Sequence, residues 1–179
     1  MKRTKRTLTL RGSHEFPVAS TFDFEQILDY ANVLDIKMGW KVRDYEVMVQ
    51  NPNLGSAFVR EDFSLETILA TDVLDSGWAG GDPRQDMSDN RQIAWGNQLY
   101  ACGMSPTANV FGMRQTHEIV DPDHLVQNQL NIGFRVCADP AVVEGVNVTV
   151  NWIVYLDEYN ITPSESIVFN IKGQAQDVD

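Results

Sequence analysis

Between Val146 and Asp157 every second residue is apolar: Val146, Val148, Val150, Trp152, Val154 and Leu156 alternate with Asn147, Thr149, Asn151, Ile153, Tyr155 and Asp157. A period of two places one set on one face of an extended strand. A strand this long with a wholly apolar face has to lie over a core. Ile153 and Tyr155 fall on the otherwise polar set, so the outer face is expected to meet a second layer or a neighbouring subunit near that end.

Shorter segments repeat the pattern. Trp40 and Val42 share one parity with Asp44, whereas Tyr45, Val47 and Val49 share the other, which predicts a strand with a bulge near Asp44, closed by the turn residues Asn51-Pro52-Asn53 and Gly55. Phe63 to Ala70, Gln92 to Tyr100 and Leu125 to Cys137 are each strand-length and bounded by turn formers. Thr7 to Leu10 alternates in a way that suits a strand added to a sheet edge. Asp23 to Leu34 fits either period. The stretch Ser76 to Asn90 fits neither and reads as a long loop.

One helix has chemical support. Thr162-Pro163-Ser164-Glu165 combines a capping-box Thr and Glu with Pro at the first helical position, and Ile167, Val168, Ile171 and Ala175 follow at helical spacing. A strand from Ile167 to Ile171 is the competitor. Seven or eight short strands, long polar connections and a late helix describe an all-β chain, an antiparallel β-sandwich of jelly-roll type with a short C-terminal helix. Strand-helix alternation of the doubly wound kind is absent.

Charge is distributed unevenly. The formal net charge is -11, yet Lys2, Arg3, Lys5, Arg6 and Arg11 place five of the fourteen cations in the first eleven residues. The remainder sets nine cations against twenty-five anions, a net of -16. Gripping a nucleic acid requires cations that displace the counterions of phosphate, so a body this acidic argues against it. Residues 1–12 therefore read as a basic N-terminal arm ahead of a single domain over 13–179. If nucleic acid or an anionic surface is met, the arm meets it. Four cations in six residues repel one another and stay mobile unless phosphate or an acidic partner neutralises them. No apolar run approaches the roughly 20 residues of a membrane span, and Thr4 to Leu10 makes a poor secretory signal.

Signals for chemistry are sparse. His117, Asp121, Asp123 and His124 supply metal-type side chains without a recognised ligand spacing, and the stretch reads first as a polar turn. Asp82, Asp86, Asp89 and Asn90 offer oxygen ligands without the order of a calcium loop. Trp78, in a Gly-rich stretch, suits a sugar platform, an intersubunit anchor or packing on its own domain. Cys102 and Cys137 are too few for a disulfide scaffold and read as buried free thiols. Nucleophile elbows and phosphate loops are missing, and no catalytic residue, cofactor or metal is assigned.

Three runs carry a resemblance: Ile119-Val-Asp-Pro-Asp-His-Leu-Val-Gln-Asn-Gln-Leu-Asn-Ile132, Asn151-Trp-Ile-Val-Tyr-Leu-Asp-Glu-Tyr-Asn-Ile-Thr-Pro-Ser-Glu165, and Gly173-Gln-Ala-Gln-Asp-Val178. They look like small virion proteins of environmental viruses, and the chain is similar in outline to single jelly-roll capsid proteins, in which a basic arm precedes an eight-stranded sandwich. The resemblance implies a non-enzymatic capsid subunit, located in the virion after assembly in the host cytoplasm, whose partners are further copies of itself and other virion proteins. On this reading the arm cations, the long loop and the edge strands make the contacts. Two alternatives belong to other classes. One is a carbohydrate-binding β-sandwich with Trp78, Asp82 and Asn90 at its site; the other is a glycoside hydrolase-like enzyme whose carboxylates converge only in space.

Overall fold

The computed structural model describes residues 1–18, 21–29, 37–50, 63–72, 85–86, 88–102, 110–127, 129–137 and 147–174. Eight strands and one helix follow in order: β1 (Lys2–Pro17), β2 (Asp23–Asp29), β3 (Met38–Val49), β4 (Phe63–Ala70), β5 (Gln92–Cys102), β6 (Val110–Ile119), β7 (Gln129–Cys137), β8 (Asn147–Asn160) and α1 (Pro163–Gln174). They form two sheets, β1-β8-β3 and β2-β7-β4-β5-β6, with antiparallel pairing throughout. The chain changes sheet from β1 to β2, β2 to β3, β3 to β4 and β7 to β8, which is the jelly-roll order. In this sandwich β6 stays with its hairpin partner β5 instead of joining β3, so three strands lie over five.

The core is the parity set read from the sequence. Val148, Val150, Trp152, Val154 and Leu156 of β8 face Leu130, Ile132, Phe134 and Val136 of β7, with Val42, Tyr45, Val47 and Val49 of β3 and Phe63, Leu65 and Leu69 of β4 completing the layer. Each such side chain contributes roughly 1.5–3 kcal/mol by leaving water. The expected bulge is present, because the β3–β8 register shifts between Val42 and Asp44 and the extra residue is Arg43. The undecided Asp23 segment is a strand, and Phe24 lies over Gly133 of β7, where a Cβ would come within 2.5 Å of the ring. A smaller cluster of Phe22, Ile68 and Ala70, flanked by Phe24 and Trp95, buries apolar side chains on the far side of the larger sheet.

The late segment is helical. Glu165 N donates to Thr162 Oγ1 at 3.3 Å and Thr162 N donates to Glu165 Oε2 at 2.8 Å, which completes the capping box. The helix does not bury its apolar residues as its spacing suggests: Ile167 and Val168 are exposed, whereas Ser166 is buried and accepts from Gln127 Nε2 at 3.0 Å. Among the described residues no helix is long and apolar enough to cross a membrane.

Candidate functional site

The cationic arm is not a separate tail in this structure, since residues 2–12 belong to β1 and pair with the end of β8. The neutralising acidic partner comes from the same chain. Arg3 reaches Asp157 at 2.8 Å, with Arg43 of the β3 bulge 3.8 Å away on the other carboxylate oxygen. Asp157 and Glu158 are both buried, and adjacent residues of a strand point to opposite faces, so each needs its own partners.

Glu158 obtains them through an irregularity in β1. Three residues, Thr4, Lys5 and Arg6, lie between the pairs Arg3↔Tyr159 and Thr7↔Asp157, where regular pairing has room for one. The bulge closes on itself through Arg6 N and Thr4 Oγ1 at 3.1 Å. Thr4 Oγ1 in turn donates to Glu158 Oε2 at 2.7 Å, and Arg6 lies 3.7 Å from Oε1. Lys2, Lys5 and Arg11 make no ion pair among the described residues and are exposed. The outer face beside them carries Lys41 over the Tyr159 ring at 5.2 Å and Arg43 over the Tyr155 ring at 5.4 Å, which accounts for the partial burial of Tyr155.

A groove of about 560 Å³ opens where the edge of β3 passes the edge of β6. Asp44, Glu46, Met48, Gln115, His117 and Ile153 line it. His117 Nε2 is 3.3 Å from Asp44 Oδ1, and its ring meets Tyr45 edge-on at 5.7 Å between centroids. Asp44 and Glu46 are two residues apart on one strand, roughly 7 Å along the chain. Burial of Tyr45 pushes its phenol well above the ordinary value; the Thr67 hydrogen bond pulls it down and the Asp44 charge raises it further. Below the groove the β3 edge is sealed. Tyr100 Oη accepts from Val49 N at 3.2 Å and donates to Gln98 Oε1 at 2.6 Å, and Gln98 Nε2 donates to the Val47 carbonyl.

The remaining candidates scatter. His124 pairs with Asp121 at 3.3 Å while Asp123 holds Lys41 at 2.8 Å, so the stretch beginning at His117 divides among three separate contacts. No cluster of three or more metal-type side chains occurs among the described residues. Asn90 lies in the turn before β5, and Trp78 and Asp82 fall outside the described residues. Cys137 corrects the buried-thiol expectation: it is free and exposed, because its parity on β7 points away from the core. Partial desolvation of the thiol raises its pKa, and the Glu66 charge adds to that. The side chain of Cys102 lies outside the described residues.

Sequence reading does not reach β6, the groove or the burial of Glu158. Glu158 was legible in principle, because it continues the inward parity of Val154 and Leu156. A third histidine contact also went unseen. His14 of β1 lies 3.3 Å from Asp23 and 3.6 Å from Glu25 at the β1–β2 seam, stacked on Phe16 and Phe134. No family model and no curated protein matches this chain. Among solved structures, the chain aligns with one described as a decameric BFDV capsid protein at 12% identity, over 86% of this chain and 98% of that one, with a TM-score of 0.16, too low to bear on fold or role.

Proposed function

We propose that this chain is a structural subunit of a virion, a capsid protein that assembles with further copies of itself into a symmetric shell. One observation carries the reading. β1 is a 16-residue strand at the edge of its sheet, and among the described residues no backbone hydrogen bond occupies its outer side. An open edge of that length is a template for pairing with another chain. The arm cations serve these contacts and the fold more than any genome, because Arg3 and Arg6 are already matched to Asp157 and Glu158. Mass photometry and electron microscopy across concentration and salt test the reading. Oligomers or particles are expected, and a monomer under every condition overturns it.

A second reading is favoured by the groove. Two carboxylates on one strand face and an imidazole within reach of one of them form the type of arrangement that hydrolyses glycosides when the carboxyls lie about 5 to 10 Å apart. A general acid there would need shielding from water, but the Asp44 side chain is 48% exposed and that of His117 40%. Turnover of chromogenic glycosides that is lost in Glu46→Gln would establish the enzyme. No turnover on a broad panel removes it.

A further inference from the structure

The two edges of the three-stranded sheet are finished in opposite ways. The β3 edge is closed: Trp40 N donates to the Val126 carbonyl at 3.0 Å and Val126 N to the Trp40 carbonyl at 2.7 Å, and Tyr100 and Gln98 occupy the peptide groups of Val49 and Val47. The β1 edge has no such closure among the described residues. From Thr7 to Ser13 every odd residue of β1 is exposed, as is Glu15. The bulge and the cations guard the first residues of this edge, whereas from Thr7 onward its unpaired peptide groups are a template for pairing with another chain.

Charge indicates which partner. Along β1 the cations without an ion pair, Lys2, Lys5 and Arg11, precede the one carboxylate of the strand, Glu15. Among the described residues Glu15 pairs with no cation, and it accepts from Asn147 Nδ2 at 2.9 Å. Beyond it the β1–β2 seam is acidic, with Asp23 and Glu25 around His14. The edge therefore runs from positive to negative along the chain. A parallel neighbour would set like charges opposite one another; an antiparallel copy sets them in complement.

We propose that two copies of this chain pair antiparallel through their β1 edges about a two-fold axis at Ser13. Arg11 of each copy then lies opposite Glu15 of the other. The ladder covers Thr9 to Pro17 and joins two three-stranded sheets into one of six strands. Leu10 falls opposite Phe16 on the inner side, which extends both cores across the axis. Because the axis passes through a small residue, Ser13 meets Ser13 at a cross-strand Cα distance of roughly 4.5–5.5 Å. The contact is isologous, the commonest building block of closed symmetric assemblies. It rests on the assembly reading and names its first contact.

The test is charge exchange in the full chain, with self-association measured by sedimentation and folding checked by circular dichroism. Arg11→Glu and Glu15→Lys are each expected to weaken association about tenfold, since each dimer carries the altered pair twice. The double variant restores it to within about threefold. In a Cys137→Ser background, Ser13→Cys forms a disulfide-linked dimer on mild oxidation and Thr7→Cys does not, because only a residue on the axis meets itself. Assemblies that ignore both reversals, a double variant no better than the single ones, or a failed Ser13→Cys crosslink overturn the edge contact and leave the assembly reading standing. A monomer throughout overturns both.

Discussion

The Thr4 hydroxyl donates to the buried Glu158 carboxylate at 2.7 Å, across a bulge that exists in β1 only at that point. The relationship ties the first residues of the chain to the end of its longest apolar strand face. A buried carboxylate deprived of a donor loses a charge-assisted bond of about 1.5–3 kcal/mol. Thr4→Val is therefore expected to destabilise the fold by that amount in chemical denaturation. Glu158→Gln, which keeps an acceptor for Thr4, should cost less, because the Arg6 side chain it would forsake is 76% exposed and its ion pair is screened. Equal losses in the two variants would mean that the Arg6 ion pair holds Glu158 as strongly as the Thr4 bond does.

Tyr100 makes the corresponding closure on β3. Its hydroxyl serves Val49 N and Gln98 at once, and both lie in a buried setting where an unmatched polar group costs about 1–3 kcal/mol. Burial pushes the phenol above its usual value, with the Val49 bond pulling the other way. Tyr100→Phe keeps the ring stacked on Phe63 at 4.6 Å and removes only the oxygen. Loss of stability in this range is expected, together with faster aggregation as a second sheet edge becomes available for pairing. A variant as stable and as soluble as the parent would show that the β3 edge needs no cap.

The strands that were readable are those whose inward positions are apolar throughout, as in Val148 to Leu156, or nearly so, as in Phe63 to Ala70, where only Thr67 breaks the set and its hydroxyl meets the Tyr45 hydroxyl. β6 escaped for a physical reason. Its inward parity contains Gln115 and His117, polar because the sandwich opens there into the groove. The bulge at Arg43 could be read because a parity switch leaves a mark in sequence, whereas the one at Thr4 to Arg6 could not, since a run of cations and threonines has no parity to break. In sequence the arm is a charge pattern that calls for an acidic partner. Which carboxylates answer it depends on register, and register is set by pairing across more than 150 residues.

Gly12 sits against the face of Trp152, and a Cβ added there would come within 2.5 Å of the indole. The indole cannot yield freely, because its Nε1 donates to Glu25 on the opposite sheet at 3.0 Å. Gly12→Ala is expected to destabilise by about 1–3 kcal/mol through overpacking and to alter the tryptophan emission. Preserved stability with unchanged emission would indicate that β1 moves outward at no cost.

Glu165 joins Met1 to the first turn of α1. The Met1 amino group lies 2.6 Å from one of its carboxylate oxygens, and Thr162 bonds the other through its amide at 2.8 Å and its hydroxyl at 2.9 Å. The amino group is the leading cause, followed by the Thr162 amide and hydroxyl, of a carboxyl pKa lowered from 4.5 to about 2. A folded pKa below the unfolded one means that the stabilisation is fully present above about pH 4.5 and is lost as pH falls toward 2. Other carboxylates titrate in the same window, so the readout is the difference between the parent and Glu165→Gln. That variant should be less stable at pH 6, and the gap should narrow to nothing near pH 2. Helix signal at 222 nm should follow the same course, because the capping box opens with the same proton. A gap that stays constant across the window would show that Glu165 acts only as an acceptor of hydrogen bonds, without its charge.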